Sequence, residues 1–379
     1  MRNTHDCLAD NIHSVTALEQ LIQRPISENA ILQKIAEKHP IRVTPYYLNL
    51  IDWDNPEDPI RKIAIPSSGE QNVSGSFDTS GELHNTKLPG LQHKYRETAL
   101  ILTTNICSVY CRHCFRKRLI GVAEDEVVTN WDKVTAYLQE HKELTNVLLS
   151  GGDPLVLKTD YLADIFNRLA IIDHLQYVRI GTRTPVVVPQ RIVEDDALHD
   201  TFREFLGQGK QLYVTVQYNH ARELTPASIE AVARLRENGI IVNNQAVLLK
   251  GVNDSPDAIV DLKIALARAG VIPYYLFQCR PVVAVKDEFQ VPLRTACQIV
   301  DEARSRLDGL SKRFRFVMAH PTGKIELLGW GNDGLYAKYL QTNQEALHNK
   351  LFHKPLSNEA GWLGTDVEEC ASWTMYAHC

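Results

Sequence analysis

The sequence predicts an α/β fold on a parallel sheet, and three observations predict it. Short aliphatic runs recur from residue 99 to residue 277, stretches with helical spacing separate them, and turn-forming residues mark the joins. Strands alternating with helices of about 10–15 residues make βαβ units, whose strands lie parallel.

The elements follow in order. Apolar periodicity over Val15–Ile22 and 31–35 predicts helices, followed by turn-formers around Pro45 and Pro56. Residues 67–87 are polar with three glycines and read as a loop or linker. Strands are expected at 99–103, 146–149, 177–180, 212–217, 240–247 and 274–277. Between them Leu162, Ile165, Phe166 and Leu169 fall on one helical face. Ile229, Val232 and Leu235 make another that ends at Gly239, a suitable C′ glycine. Ser255, Pro256 and Asp257 supply an N-cap, an N1 proline and a first-turn acid ahead of Ile259, Leu262 and Leu266. Six such units fit a barrel or an open part-barrel. A seventh run, 314–318, adds a strand at its closing edge, and beyond Trp330 the pattern decays into a mixed tail. The division expected is a mainly helical, loop-rich extension over 1–92, a part-barrel core over 93–308 and a C-terminal segment over 309–379.

Composition bounds the function. The 379 residues are 44 % hydrophobic and 23 % charged, enough for a large core. The 41 Lys and Arg against 46 Asp and Glu give a net charge of −5, without the basic footprint of a nucleic-acid binder. No apolar run approaches the roughly 18 residues that cross a bilayer, and the start MRNTHDCLAD lacks a secretory h-region. A cytoplasmic chain without membrane partners is expected.

Of eight cysteines, Cys107, Cys111 and Cys114 cluster, whereas Cys7, Cys279, Cys297, Cys370 and Cys379 scatter. In a reducing compartment such a cluster suggests metal, and the scattered thiols read as buried or incidental. Parallel barrels carry their chemistry at the C-terminal ends of the strands. After the first strand, three thiolates at C-x3-C-x2-C can ligate three irons of a cubane and leave the fourth open. A zinc knuckle is the plainer alternative, but structural zinc wants four ligands, and His113 is poorly placed as the fourth. Gly151 and Gly152 before Asp153 allow close backbone approach of a ligand, or an ordinary turn. Arg183 is an anion clamp or a solvated charge. His220 ends the fourth strand, and Asn244 and Gln245 sit inside the fifth, where buried amides need partners. Arg280 ends the sixth. Lys324, on a loop with one glycine, is able to form a Schiff base, although most lysines are surface charges.

With these residues in hand, the chain resembles the lysine 2,3-aminomutase family of radical S-adenosylmethionine (SAM) enzymes. The matching text includes Leu91 to Tyr95, the run from Cys107 to Cys114, Ser150 to Asp153, Arg179 to Pro185, Asn244-Gln245, Gly251 to Asp254 and Pro273 to Tyr275. The resemblance covers roughly residues 43–324. It implies a radical SAM partial (β/α)6 TIM-type barrel and movement of an α-amino group to the β-carbon. A 5′-deoxyadenosyl radical would remove a β-hydrogen from a substrate held through pyridoxal 5′-phosphate (PLP). It further implies Cys107, Cys111 and Cys114 on a [4Fe-4S] cluster, and His113, Gly151, Gly152, Asp153, His220, Asn244 and Gln245 around SAM. Lys324, Lys94, Tyr95 and Arg183 would serve PLP, and Arg116 would grip the substrate α-carboxylate. A small amino acid, a reducing partner such as flavodoxin or ferredoxin, and a homo-oligomer are implied as well.

The departures bear on substrate. Two aspartates that hold the distal ammonium in the lysine enzymes correspond to Arg280 and Val317 here. A cation in place of an acid repels ammonium and suits a distal carboxylate, so the expected reaction is a glutamate-type 2,3-aminomutase. Arg280 would lose this role if it paired with a local acid such as Asp287 or Glu288. A phosphate-contacting arginine of the family falls at Thr98, where Arg96 is the nearest substitute. A zinc-ligating cysteine of some members falls at Ser255, and Cys370 with Cys379 does not rebuild that site, so zinc is not expected. The competing readings are lysine 2,3-aminomutase proper, a radical SAM enzyme that has lost PLP, and a non-enzymatic metal-binding module.

Overall fold

The computed structural model describes residues 11–364, apart from 24, 27 and 124, together with strand Thr374–Tyr376. Cys7, Cys370 and Cys379 lie outside the described residues. Thirteen strands form one sheet in chain order: β1 (Thr86–Leu88), β2 (Leu91–Tyr95), β3 (Thr98–Thr104), β4 (Asn146–Gly151), β5 (Tyr177–Thr182), β6 (Gln211–Val216), β7 (Ile241–Leu248), β8 (Ile272–Gln278), β9 (Arg315–His320), β10 (Gly323–Trp330), β11 (Gly334–Gln341), β12 (Leu351–Pro355) and β13 (Thr374–Tyr376).

From β3 to β9 every neighbouring pair is parallel. All seven aliphatic runs of the sequence fall on these strands. Helices form the crossovers for the reasons their sequences give. Thr159–Ala170 buries Leu162, Ile165, Phe166 and Leu169 against the sheet. Thr225 and Ser255 cap their helices by accepting from the amides of Ser228 and Ala258. Gly239 takes the left-handed conformation after Pro226–Glu237. Among the described residues nothing pairs β1 with β13, so the parallel array is an open part-barrel.

Two regions differ from the sequence expectation. Residues beyond 330 are not a mixed tail: after β10, strands β11 to β13 continue the sheet as an antiparallel meander. Its inward residues Ile325, Leu327, Leu335, Ala337 and Tyr339 are buried, and alternate with polar ones. That period-2 pattern is weak because only one face is covered. Nor is 67–87 a free linker. Glu70, Ser80, Glu82 and Asn85 are buried, and Arg112 and Lys117 both ion-pair with Glu70. The N-terminal helices join the same continuous hydrophobic core as the barrel, from Val15 to Leu363. No helix among the described residues is long and apolar enough to cross a membrane.

Helix Pro256–Arg268 contains one local conflict. Lys263 is fully buried, its Nζ has no hydrogen-bond partner and it lies 4.5 Å over the Phe314 ring. Burial, then Arg304, lowers its pKa to about 7. Between that value and the unfolded one the unfolded chain binds more protons, so stability rises with pH across the window. Lys263→Met is therefore expected to raise thermal stability by a few kcal/mol at pH 7, on the order of 1–4. The gain shrinks as pH climbs toward about 10, and calorimetry at pH 7 and 9.5 checks both parts.

Candidate active site

The cysteine loop leaves β3 at the C-terminal mouth of the barrel, where a cavity of about 500 Å³ opens. Cys107, Cys111 and Cys114 all line it, and none is in a disulfide. The loop is pinned by the strand beside it. The amides of Gly152 and Asp153 donate to the carbonyls of Thr104 (2.5 Å) and Ile106 (2.8 Å). A Cβ on Gly151 would stand 2.3 Å from the Thr104 oxygen, and one on Gly152 would stand 2.1 Å from the Ile106 oxygen. Both glycines line the cavity, yet their missing side chains admit the cysteine loop rather than a ligand. Arg112, between the cysteines, braces the loop from behind by donating to Glu70 and to the carbonyls of His39 and Pro40.

The thiol environment fits an iron–sulfur cluster. Burial, then neighbouring negative charge, pushes Cys107 well up and Cys114 to about 11, so a positive centre is what makes them thiolates. The Arg183 guanidinium supplies one such charge, 2.7 Å from the Cys111 sulfur. His113 is buried, and its Nε2 accepts from the Asn219 amide at 3.3 Å. The proton then sits on Nδ1, which has no partner and is available to a bound molecule.

Other residues expected around SAM divide. Gln245 lines the cavity, as does Asp153. The Asp153 carboxylate is enclosed by the hydroxyls of Thr182 and Thr184 and the amides of Arg183 and Leu155. Asn244 is a correction, because its amide clips the Tyr218 backbone within the sheet, away from the wall. His220 is another. It caps the turn Ala221–Glu223, and its neighbour Asn219 reaches His113 instead. That one-residue offset is invisible without knowing where the fourth strand ends.

Lys324 opens β10 and lines the cavity with Lys94, Tyr95, Arg179 and Tyr275. Its Nζ lies 4.6 Å over the Tyr275 ring. Burial, then Arg179, Lys94 and Arg280, lowers its pKa to about 7. Lys94 donates to the carbonyls of Ser80 and His320. Arg183 does not belong with these groups. It is committed to Glu223, Tyr47 and Cys111, beside the cysteines, which corrects its expected place near PLP.

A third group surrounds Phe115, whose ring lies 4.1 Å from the Arg280 guanidinium and 4.6 Å from that of Arg116. Arg116 pairs with Glu82 and donates to Ser150, while Arg280 donates to Ser80. Asp287 and Glu288 are engaged elsewhere, with Ser74 and Lys62. Val317 is buried in β9 and is not among the cavity-lining residues, so of the two exchanged positions only Arg280 faces the cavity. Lys94, Arg116, Arg179, Arg183, Arg280 and Lys324 line the wall against two carboxylates, Glu82 and Asp153. Such a cavity attracts anions. The sequence reading missed Ser80, Glu82, Phe115, Asn219 and the role of Arg179. Arg179 is a charge inside the aliphatic run 177–180, and that misfit was the available signal.

Comparison with known proteins agrees with this geometry. Residues 101–262 match the model of the radical SAM superfamily. A protein of Aquifex aeolicus that carries a provisional L-lysine 2,3-aminomutase name is 40 % identical over 350 residues, 92 % of this chain and 93 % of that protein. The chain belongs to the lysine 2,3-aminomutase family. The L-lysine 2,3-aminomutase of Clostridium subterminale is 34 % identical, over 79 % of this chain and 71 % of that one. The glutamate 2,3-aminomutase of Clostridioides difficile is 33 % identical, over 80 % and 71 %. Membership in the family makes this chain a radical SAM isomerase, with a [4Fe-4S] cluster and SAM as cofactors.

Proposed function

We propose that the chain is a PLP-dependent 2,3-aminomutase of an acidic amino acid of the glutamate type. The observation that carries the substrate is the third group. Two guanidiniums flank one phenyl ring, and both carboxylates on the cavity wall are already held by protein donors. Among the described residues a distal ammonium would find no free carboxylate there, and would meet Arg280.

When bound, the cluster and SAM supply a hydrogen-abstracting radical, and PLP supplies the carbonyl carbon that carries the migrating nitrogen. The residues divide the remaining work. Cys107, Cys111 and Cys114 would ligate iron, and His113 would donate from Nδ1 to SAM, with Gln245 on the wall beside it. Lys324, with its lowered pKa, offers a neutral amine to a carbonyl near pH 7. Arg116 would hold the α-carboxylate through the Nη hydrogens that Glu82 and Ser150 do not take, and Arg280 the distal carboxylate. Ser80 and Glu82, both buried, form part of the cavity wall and would help to limit water at the reacting centre. A small amino acid as substrate and an external low-potential electron donor complete the reading.

The test is incubation of reconstituted enzyme with SAM, PLP and a reductant against glutamate, aspartate, glutamine and lysine, with β-amino products read by NMR. Glutamate is expected to turn over at least about 100-fold faster than lysine, the scale set by one unpaired buried charge. Efficient turnover of lysine with inert glutamate would overturn the substrate assignment.

A further inference from the structure

Arg179 projects from β5 onto the cavity wall near Lys324. Its Nη2 donates to Asn146 Oδ1 at 2.8 Å, and its Nε is buried without a partner. Asn146 in turn is fixed by donating to the Glu97 carbonyl at 2.8 Å, and its Oδ1 also accepts from the Thr98 hydroxyl. A rigid amide therefore aims the guanidinium. Among the described residues no carboxylate pairs with it. Glu82 is held by Arg116 and Arg118, and Asp153 by its ring of hydroxyls and amides. Of the other wall cations, Lys94 is held by two carbonyls and Arg183 by Glu223, while Arg116 and Arg280 stand together at Phe115, the place proposed above for the two substrate carboxylates.

A half-buried guanidinium that faces a cavity without a counter-charge favours an anion that arrives with the ligand. Lys324 beside it captures carbonyls. A single molecule answering both groups carries an aldehyde and a separate strongly anionic group. Phosphate matches a guanidinium fork, and a charge near −2 satisfies both Arg179 and the surrounding positive field. Arg96, the substitute suggested by the sequence, is exposed and does not line the cavity.

We infer that Arg179 is the phosphate anchor for the aldehyde cofactor captured by Lys324. This inference rests on the PLP reading above, and the experiment separates the two. Full-length reconstituted enzyme is titrated with PLP and, separately, with pyridoxal, which lacks the phosphate, at pH 9, above the Lys324 midpoint, so that the charge state of the amine does not differ between variants. Uptake is read from the visible absorbance gained when the aldehyde joins an amine. Wild type is expected to bind PLP much more tightly than pyridoxal. Arg179→Gln is expected to weaken PLP by about 10–100-fold, the scale of a charge-assisted hydrogen bond to phosphate, and to leave pyridoxal within about threefold. Arg179→Lys should recover part of the loss. Inorganic phosphate should compete with PLP in wild type and much less in Arg179→Gln. Unchanged PLP affinity in Arg179→Gln overturns the inference, as does an equal loss of PLP and pyridoxal, which marks a structural role. A wild-type chain that takes up neither aldehyde overturns the PLP reading itself.

Discussion

Arg280→Gln is expected to lower kcat/KM for glutamate by about 10²–10³-fold, the range for removing one partner of a buried, hydrogen-bonded charge pair. Glutamine, which has no distal charge, should change by only a few-fold, so the preference for glutamate over glutamine collapses. That ratio separates loss of a charge contact from general damage, because a disturbed cavity would weaken both substrates alike. The variant leaves Phe115 without its guanidinium at 4.1 Å and Ser80 without that donor. Lysine turnover should not appear in Arg280→Gln, since removing a repulsive charge does not create a carboxylate. Arg280→Asp goes further, placing an acid where the cation stood, and is the variant in which lysine turnover should emerge. Glutamate turnover within threefold of wild type in Arg280→Gln would show that the arginine faces the cavity without contacting substrate.

The parallel part of the fold was legible because its strands are buried on both faces and separated by amphipathic helices. Both patterns have short periods that survive in sequence. The meander beyond β9 was not, because Ile325, Leu327, Leu335 and Ala337 alternate with solvated partners and no single run stands out. The site was legible where chemistry is local. Cys107, Cys111 and Cys114 need only one loop, and Lys324 needs only a strand end. It was illegible where the site is made by distant segments meeting. Ser80 and Glu82 come from an apparent linker, and their partners Arg280 and Arg116 lie 200 and 34 residues away. Arg183 illustrates the opposite error. The motif around it is local, but its guanidinium is fixed by Tyr47 and Glu223, from elements that no short window contains. His220 and Asn244 failed by one position each, and in a strand or at its end a one-residue step reverses the side chain.

Lys324→Ala is expected to abolish turnover, by at least about 10³-fold, as for removal of a covalent nucleophile. It should also eliminate the visible absorbance on adding PLP, while iron content per chain stays at the wild-type value. That pairing assigns the loss to Lys324 rather than to a cluster that failed to assemble. The environment of the amine makes a second, independent demand. Burial and the cations Arg179, Lys94 and Arg280 hold its pKa to about 7. A lysine becomes nucleophilic as it loses its proton, so the rate of PLP capture by wild type should rise with pH through about 7 and level off near 8. An unperturbed lysine would continue to rise toward about 10. The neighbouring charges fix the direction of a further shift. Removing one cation in Arg179→Gln relieves repulsion of the ammonium form, so the midpoint should move to higher pH, whatever happens to affinity. A midpoint that stays near 7 in that variant would mean that Arg179 does not act on the amine, and a wild-type midpoint near 10 would mean that Lys324 is solvated and not on this wall.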